Sequence, residues 1–145
     1  MTDIWQQMCA ADGLDPVKRL TARQAVLNDP HALDATLYRS DESGEEELDL
    51  GDAKVLFQGA YVLPAHWSAN EKAEYLDGAL EDELLCALVE CQADPQSKDY
   101  FVADVGDYLA CVETTGKVAM YFVHDFEEDN NGRRCILIQD QLDDF

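Results

Sequence analysis

Cysteine, histidine and carboxylate are the side chains in this sequence with reactive or ligating chemistry. Their spacing decides which chemistries to test. Cysteines stand at positions 9, 86, 91, 111 and 135 and histidines at 31, 66 and 124. A structural zinc site needs clustered Cys or His. Cys86 and Cys91 are five apart, which on a helix separates them by ~140°, and neither has a histidine neighbour. The odd count and the lack of a C-x-x-C pair point to reduced, buried thiols of a cytosolic protein rather than a disulfide framework. Glu127-Glu128-Asp129-Asn130-Asn131-Gly132 imitates the start of a calcium loop, with Gly132 at the sixth position. The twelfth position, which requires a bidentate glutamate, is Ile138, so the segment reads as a polar hairpin turn.

A cysteine–histidine dyad needs both groups within hydrogen-bond reach. A hairpin around Thr115-Gly116 would pair Cys111 with Met120 and His124 with Asp107. That leaves Cys111 and His124 ~13 Å apart along the strands. His124 and Asp107 then form a polar contact at the sheet edge, while His31 and His66 lie in proline-flanked loops. No nucleophile elbow, zincin helix, phosphate-binding loop or dinucleotide fingerprint occurs. The expectation is a non-enzyme without a metal or cofactor.

Carboxylates are the abundant chemistry. The 145 residues carry 31 acidic and 10 basic side chains, a formal charge of −21. Residues 1–39 are near neutral, with five acids and four bases, whereas residues 40–145 carry 26 acids and six bases. Direct binding to DNA, RNA or an anionic membrane is excluded electrostatically, because the attraction behind it becomes repulsion. With 47% apolar residues the chain can build a core, so it reads as one domain spanning 1–145 rather than an acidic disordered tail. The first residues have no basic region followed by an apolar stretch, and no apolar run reaches membrane-spanning length. The expected location is the cytoplasm.

The expected elements are read from period and caps. Asp3 can cap a short helix carrying Ile4, Trp5, Met8 and Cys9, and Gly13 ends it. Asp15-Pro16 opens a second helix. On it Lys18, Arg19 and Arg23 read as a solvated face. Ala35–Arg39 suggests a short strand. The segment from Ser40 to Asp52 holds seven acids and no base. At ~10 Å two like charges repel by about 0.4 kcal/mol in water, so it reads as an extended surface loop. Lys54–Leu63 is strand-prone, with a bulge expected at Gly59. It contains Val55-Leu56-Phe57-Gln58-Gly59, a chance match to the recognition sequence of picornaviral 3C-type proteases.

Ser68 and Glu71 form a capping box that opens a long helix over about residues 69–92. Its apolar stripe is Leu76, Leu80, Leu84, Ala87 and Cys91, and its second half is apolar all round. Strands at Tyr100–Val105, Asp107–Glu113, Lys117–Phe126 and Arg133–Gln139 complete a C-terminal meander, turned at Gly106, Thr114-Thr115-Gly116 and Asn131-Gly132. The fold class expected is α+β: one antiparallel sheet packed against that long helix, with short N-terminal helices. The apolar runs Val118–Val123 and Cys135–Ile138 require a covered sheet on both faces or an oligomer contact. Thr115–Tyr121, TGKVAMY, resembles a strand pair of type III secretion chaperones, which are also small and acidic; this chain ends differently, in a strand and tail rather than a helix.

A charge excess on a core-forming chain points to an inhibitory binding protein that docks carboxylates onto a basic protein. The expected form is an immunity protein, an antitoxin neutralising a nuclease-type toxin. The alternatives are a DNA-mimic inhibitor of a restriction or CRISPR nuclease, and a cytoplasmic secretion chaperone or adaptor, dimeric through the meander. Expected partner-binding residues are Asp41, Glu42, Glu45, Glu46, Glu47 and Asp49 in the acidic loop, Glu71, Glu74, Asp77 and Glu81 on the helix, and Glu127, Glu128 and Asp129 at the hairpin.

Overall fold

A computed structural model describes residues 4–40 and 46–140. Two short helices come first, α1 (Ile4–Asp12) and α2 (Pro16–Leu27). Asp15 caps α2 by accepting from the Val17 and Lys18 amides, with Pro16 in the first turn where its missing N–H costs nothing. Strands β1 (Leu33–Ser40) and β2 (Glu47–Ala60) follow, then α3 (Ala69–Leu76), a 3-10 turn at Glu81–Glu83, and β3 (Leu84–Cys91). The remaining strands are β4 (Tyr108–Val112), β5 (Val118–Asp129) and β6 (Gly132–Asp140).

The six strands close into an antiparallel barrel in the order β1-β2-β3-β6-β5-β4, sealed where β4 returns to β1. This overturns the expected α+β sheet packed on a long helix. The capping box at Ser68 and Glu71 forms, but α3 stops at Leu76. Asp77 turns left-handed at φ 46° and its amide bonds back to Ala73, and Gly78 continues at φ 93°. The apolar residues beyond form β3. Ala87, Val89 and Cys91 enter the main core, while Leu84 and Cys86 join a second cluster with Leu63 and Ile136 under Tyr61, Trp67 and Tyr75. A strand buried on both faces has the same unbroken apolar sequence as a buried helix, and period cannot separate them.

A six-stranded barrel is narrower than an eight-stranded one, so its interior favours small side chains. Ala35, Ala53, Ala87, Ala119, Cys111 and Cys135 line it beside Leu37, Val55, Leu109, Val123 and Leu137. All five cysteines are buried free thiols. Burial, opposed by Arg133 and aided by the Glu90, Glu128 and Asp107 carboxylates, pushes the Cys135 thiol up to about 12, where it is unreactive at neutral pH. Within β5 the inward residues Ala119, Tyr121 and Val123 alternate with partly exposed Met120 and Phe122 and with exposed Val118, so closure covers one face of this run, while Cys135, Ile136 and Leu137 of the other are all buried.

Other expectations shift locally. Residues 100–105 form no strand; Tyr100, Phe101 and Ala103 pack on the core as irregular chain. β2 begins at Glu47, inside the segment expected to be a loop, and pairs with Ser40 there. Cys111 pairs with Ala119, one residue from the expected register. A bulge near Leu37 sets Gly51 at φ 128° with Phe101 Cε2 3.1 Å from the position a Cβ would occupy.

Gly51→Ala therefore combines a disfavoured backbone angle with a clash. Urea denaturation should show a loss of about 1–3 kcal/mol. The Gln58-Gly59 bond lies within β2, where Leu56, Phe57 and Gly59 around it are paired with β3, so a 3C-type protease should leave the folded protein intact and cleave only after denaturation. Gel electrophoresis of native and urea-treated samples checks this.

Candidate functional site

Alternating strand direction brings one set of strand ends to a single rim. These are the ends of β1, β3 and β5 and the starts of β2, β4 and β6. That rim gathers the polar chemistry of the molecule. Arg19 of α2 reaches it and places Nη2 2.7 Å from Glu90 Oε2 on β3 and Nε 2.6 Å from Glu128 Oε2 on β5. Arg133 of β6 donates to Glu128 Oε1 at 2.9 Å, to the Ala103 carbonyl at 2.6 Å and, through its backbone, to Glu90 Oε2. The four side chains carry balanced charge, and each is at most 6% exposed.

Aromatic rings enclose this quartet. The Arg19 guanidinium lies 5.4 Å from the Trp5 ring centre, and Arg133 lies 3.8 Å from that of Phe126. Trp5 meets Tyr100 edge-on at 5.7 Å. Burial raises the Glu90 pKa, with the nearby Glu128 carboxylate adding to it and Arg19 opposing it. Arg23 is also buried and donates to the Cys91 and Ala93 carbonyls. The face of α2 expected to be solvated is thus its docking face, and Lys18 alone of the three bases named there is exposed. A few residues away Arg39 grips Asp107 through two 2.8 Å bonds, and Asp107 Oδ2 accepts from the Asp104 amide. The Asp107 carboxylate is thus bonded to Arg39 and the Asp104 amide rather than to His124, and its backbone carbonyl accepts from the Val123 amide.

The expected partner-binding carboxylates separate into five situations. Asp41, Glu42 and Glu45 lie outside the described residues. Glu46, Glu47 and Asp49 are exposed at the rim, as are Glu127 and Asp129 at the far end of β5. Glu128 is withdrawn into the quartet and offers nothing to a partner. Glu71 accepts from the Ser68 amide in the capping box, and Glu81 opens the 3-10 turn.

Glu74 and Asp77 meet a different neighbour. With Tyr75 of α3 and Val105, Phe122, His124 and Asp125 they line an open groove of about 400 Å³. His124 sits at a register shift in β5, where its ring stands edge-on to Tyr75 at 5.1 Å. Its Nε2 is 2.5 Å from the Tyr75 carbonyl oxygen and donates to it. The Tyr75 hydroxyl is sealed from water without a well-formed hydrogen bond. Burial, and secondarily the adjacent Asp125 carboxylate, push its pKa up. The sequence places Glu74 and Asp77 on one helix face but brings neither to His124 or Asp125. The available signal was His124-Asp125 interrupting an apolar strand, the mark of a bulge that re-aims side chains.

Among the described residues no three His, Cys, Asp or Glu side chains converge to hold a metal ion. No helix among the described residues is long and apolar enough to cross a membrane. Comparison of the chain with protein families, curated proteins and solved structures gives no match.

Removing one member of a buried charge network leaves another uncompensated. Arg19→Met should cost about 3–5 kcal/mol in urea denaturation, and adding Glu90→Leu should restore part of that loss. Glu90 also has a signed pH signature. Its folded pKa lies above its ordinary value of 4.5, so from that pH upward the folded state holds the proton more tightly than the unfolded state. Its contribution to stability therefore falls as pH rises through that window. Thermal melts from pH 4.5 to 7 should show that fall reduced in Glu90→Gln.

Proposed function

We propose that the protein is an acidic inhibitor that docks surface carboxylates onto a basic protein, in the manner of an immunity protein neutralising a nuclease-type toxin. The observation that carries this reading is the sorting of charge. Arg19, Arg23 and Arg133 are consumed inside the fold, and Arg39 is fastened to Asp107. The near-neutral N-terminal part therefore supplies few cations to the surface, and the outside is more uniformly anionic than the sequence balance implies.

The barrel gives those carboxylates a stiff base. Glu47 and Asp49 project from a strand paired to β1, and Glu127 and Asp129 from one paired to β6. Fixed charges of one sign steer an oppositely charged partner and raise its association rate. Their grouping at one rim, with a separate group beside α3, favours a shape-specific protein surface over the even spacing of a DNA mimic. Closure buries the Cys135–Leu137 run within the chain, whereas the outward face of β5, with Val118 61% exposed, is the part of the meander on which a dimer reading still rests.

Immobilised protein exposed to lysate of its own host should retain a basic protein that elutes with rising salt. Co-expression should suppress the toxicity of that protein. Changing Glu46, Glu47, Glu127 and Asp129 to lysine should lower the association rate at least about tenfold at low salt, read by surface plasmon resonance. Retention that salt does not weaken, or an unchanged rate, would overturn the reading.

A further inference from the structure

We infer that the groove between α3 and β5 seats an arginine side chain of a protein partner, with Glu74, Asp77 and Asp125 around the guanidinium and the rings of Tyr75, Phe122 and His124 against its faces. This inference rests on the proposed function and names what one part of the surface would grip.

The lining selects the occupant. Three carboxylates exclude an anion, while their failure to converge as a ligand set argues against a bare metal ion. A larger cation with spread charge matches the roughly 400 Å³ of space. Aromatic faces attract cations, and Tyr75, His124 and Phe122 supply three rings at the same place. A guanidinium uses both features together, since its N–H bonds point outward in plane toward carboxylates while its faces stack on rings. An ammonium is a point charge that gains less from rings and keeps its water more tightly. Val105, half exposed at the edge, offers apolar contact to the methylene stem.

The test uses the full chain and three capped tripeptides, Gly-Arg-Gly, Gly-Lys-Gly and Gly-citrulline-Gly, titrated by NMR. The arginine peptide should shift the resonances of Phe122, His124 and Asp125 saturably. The lysine peptide should bind at least about threefold more weakly, and citrulline, equal in shape but uncharged, should not bind. Asp77→Asn with Asp125→Asn should weaken the arginine peptide about tenfold. Asparagine suits the left-handed turn at position 77 and can still accept from the Phe126 amide at position 125. Phe122→Leu keeps every charge and should also weaken it severalfold. Equal affinity for lysine and arginine with no effect of Phe122→Leu would overturn the inference, as would shifts confined to Glu47 and Glu127 at the rim. Those results leave the salt-dependent capture of a basic protein unaffected. Conversely, loss of that capture with the arginine peptide still seated in the groove would refute the proposed function and support the groove.

Discussion

The docking of α2 depends on one buried arrangement of charge. α2 has only Arg19, Arg23 and Val26 buried, so no apolar stripe holds it to the barrel. Arg19 does so by joining Glu90 and Glu128, which belong to different strands, and Arg133 completes the balance. Ionic contacts of this kind add little net stability, because desolvation offsets most of their attraction. They are nonetheless intolerant of misplacement, since a shift of one turn would bury unpaired charge. The quartet thus fixes where α2 lies, and through it where α1 sets Trp5, Met8 and Cys9 into the core.

The same arrangement shapes the outside. Every arginine drawn inward is one fewer cation available to neutralise the surface, and two of the carboxylates that balance them, Glu90 and Glu128, are removed in return. The exterior is left to carboxylates such as Glu47, Asp49, Glu127 and Asp129, held by paired strands rather than by free chain. On this molecule the fold concentrates the character of the surface instead of merely carrying it.

Local signals in the sequence were legible where they involved neighbouring residues. The Asp15-Pro16 cap, the Ser68–Glu71 capping box and the turn at Thr115-Gly116 form, and the turn expected at Asn131-Gly132 forms one residue earlier, at Asn130-Asn131. Signals that depend on distant partners were not. Leu84–Cys91 has the composition of a buried helix, and only the covering of its outer face by Leu63, Ile136 and α3 makes it a strand. Arg19 and Arg23 look like surface residues until Glu90, Glu128 and two carbonyls are brought to them. Barrel closure itself leaves no local trace, because it requires β4 to return to β1. The acidic rim was readable as composition, whereas the groove exists only after α3 and a bulge in β5 meet.

The join that completes the barrel is short. β1 and β4 share four residue pairs, from Ala35 with Cys111 to Tyr38 with Tyr108, although they are remote in the chain. Bringing such segments together costs loop entropy before many contacts reward it, so this seam zips late in folding. In the native protein it is also where the wall can part with the fewest backbone bonds broken, making β4 amides the first of the barrel to exchange with deuterium. Arg39 clasping Asp107 just beyond the last pair acts as the button at the end of that seam.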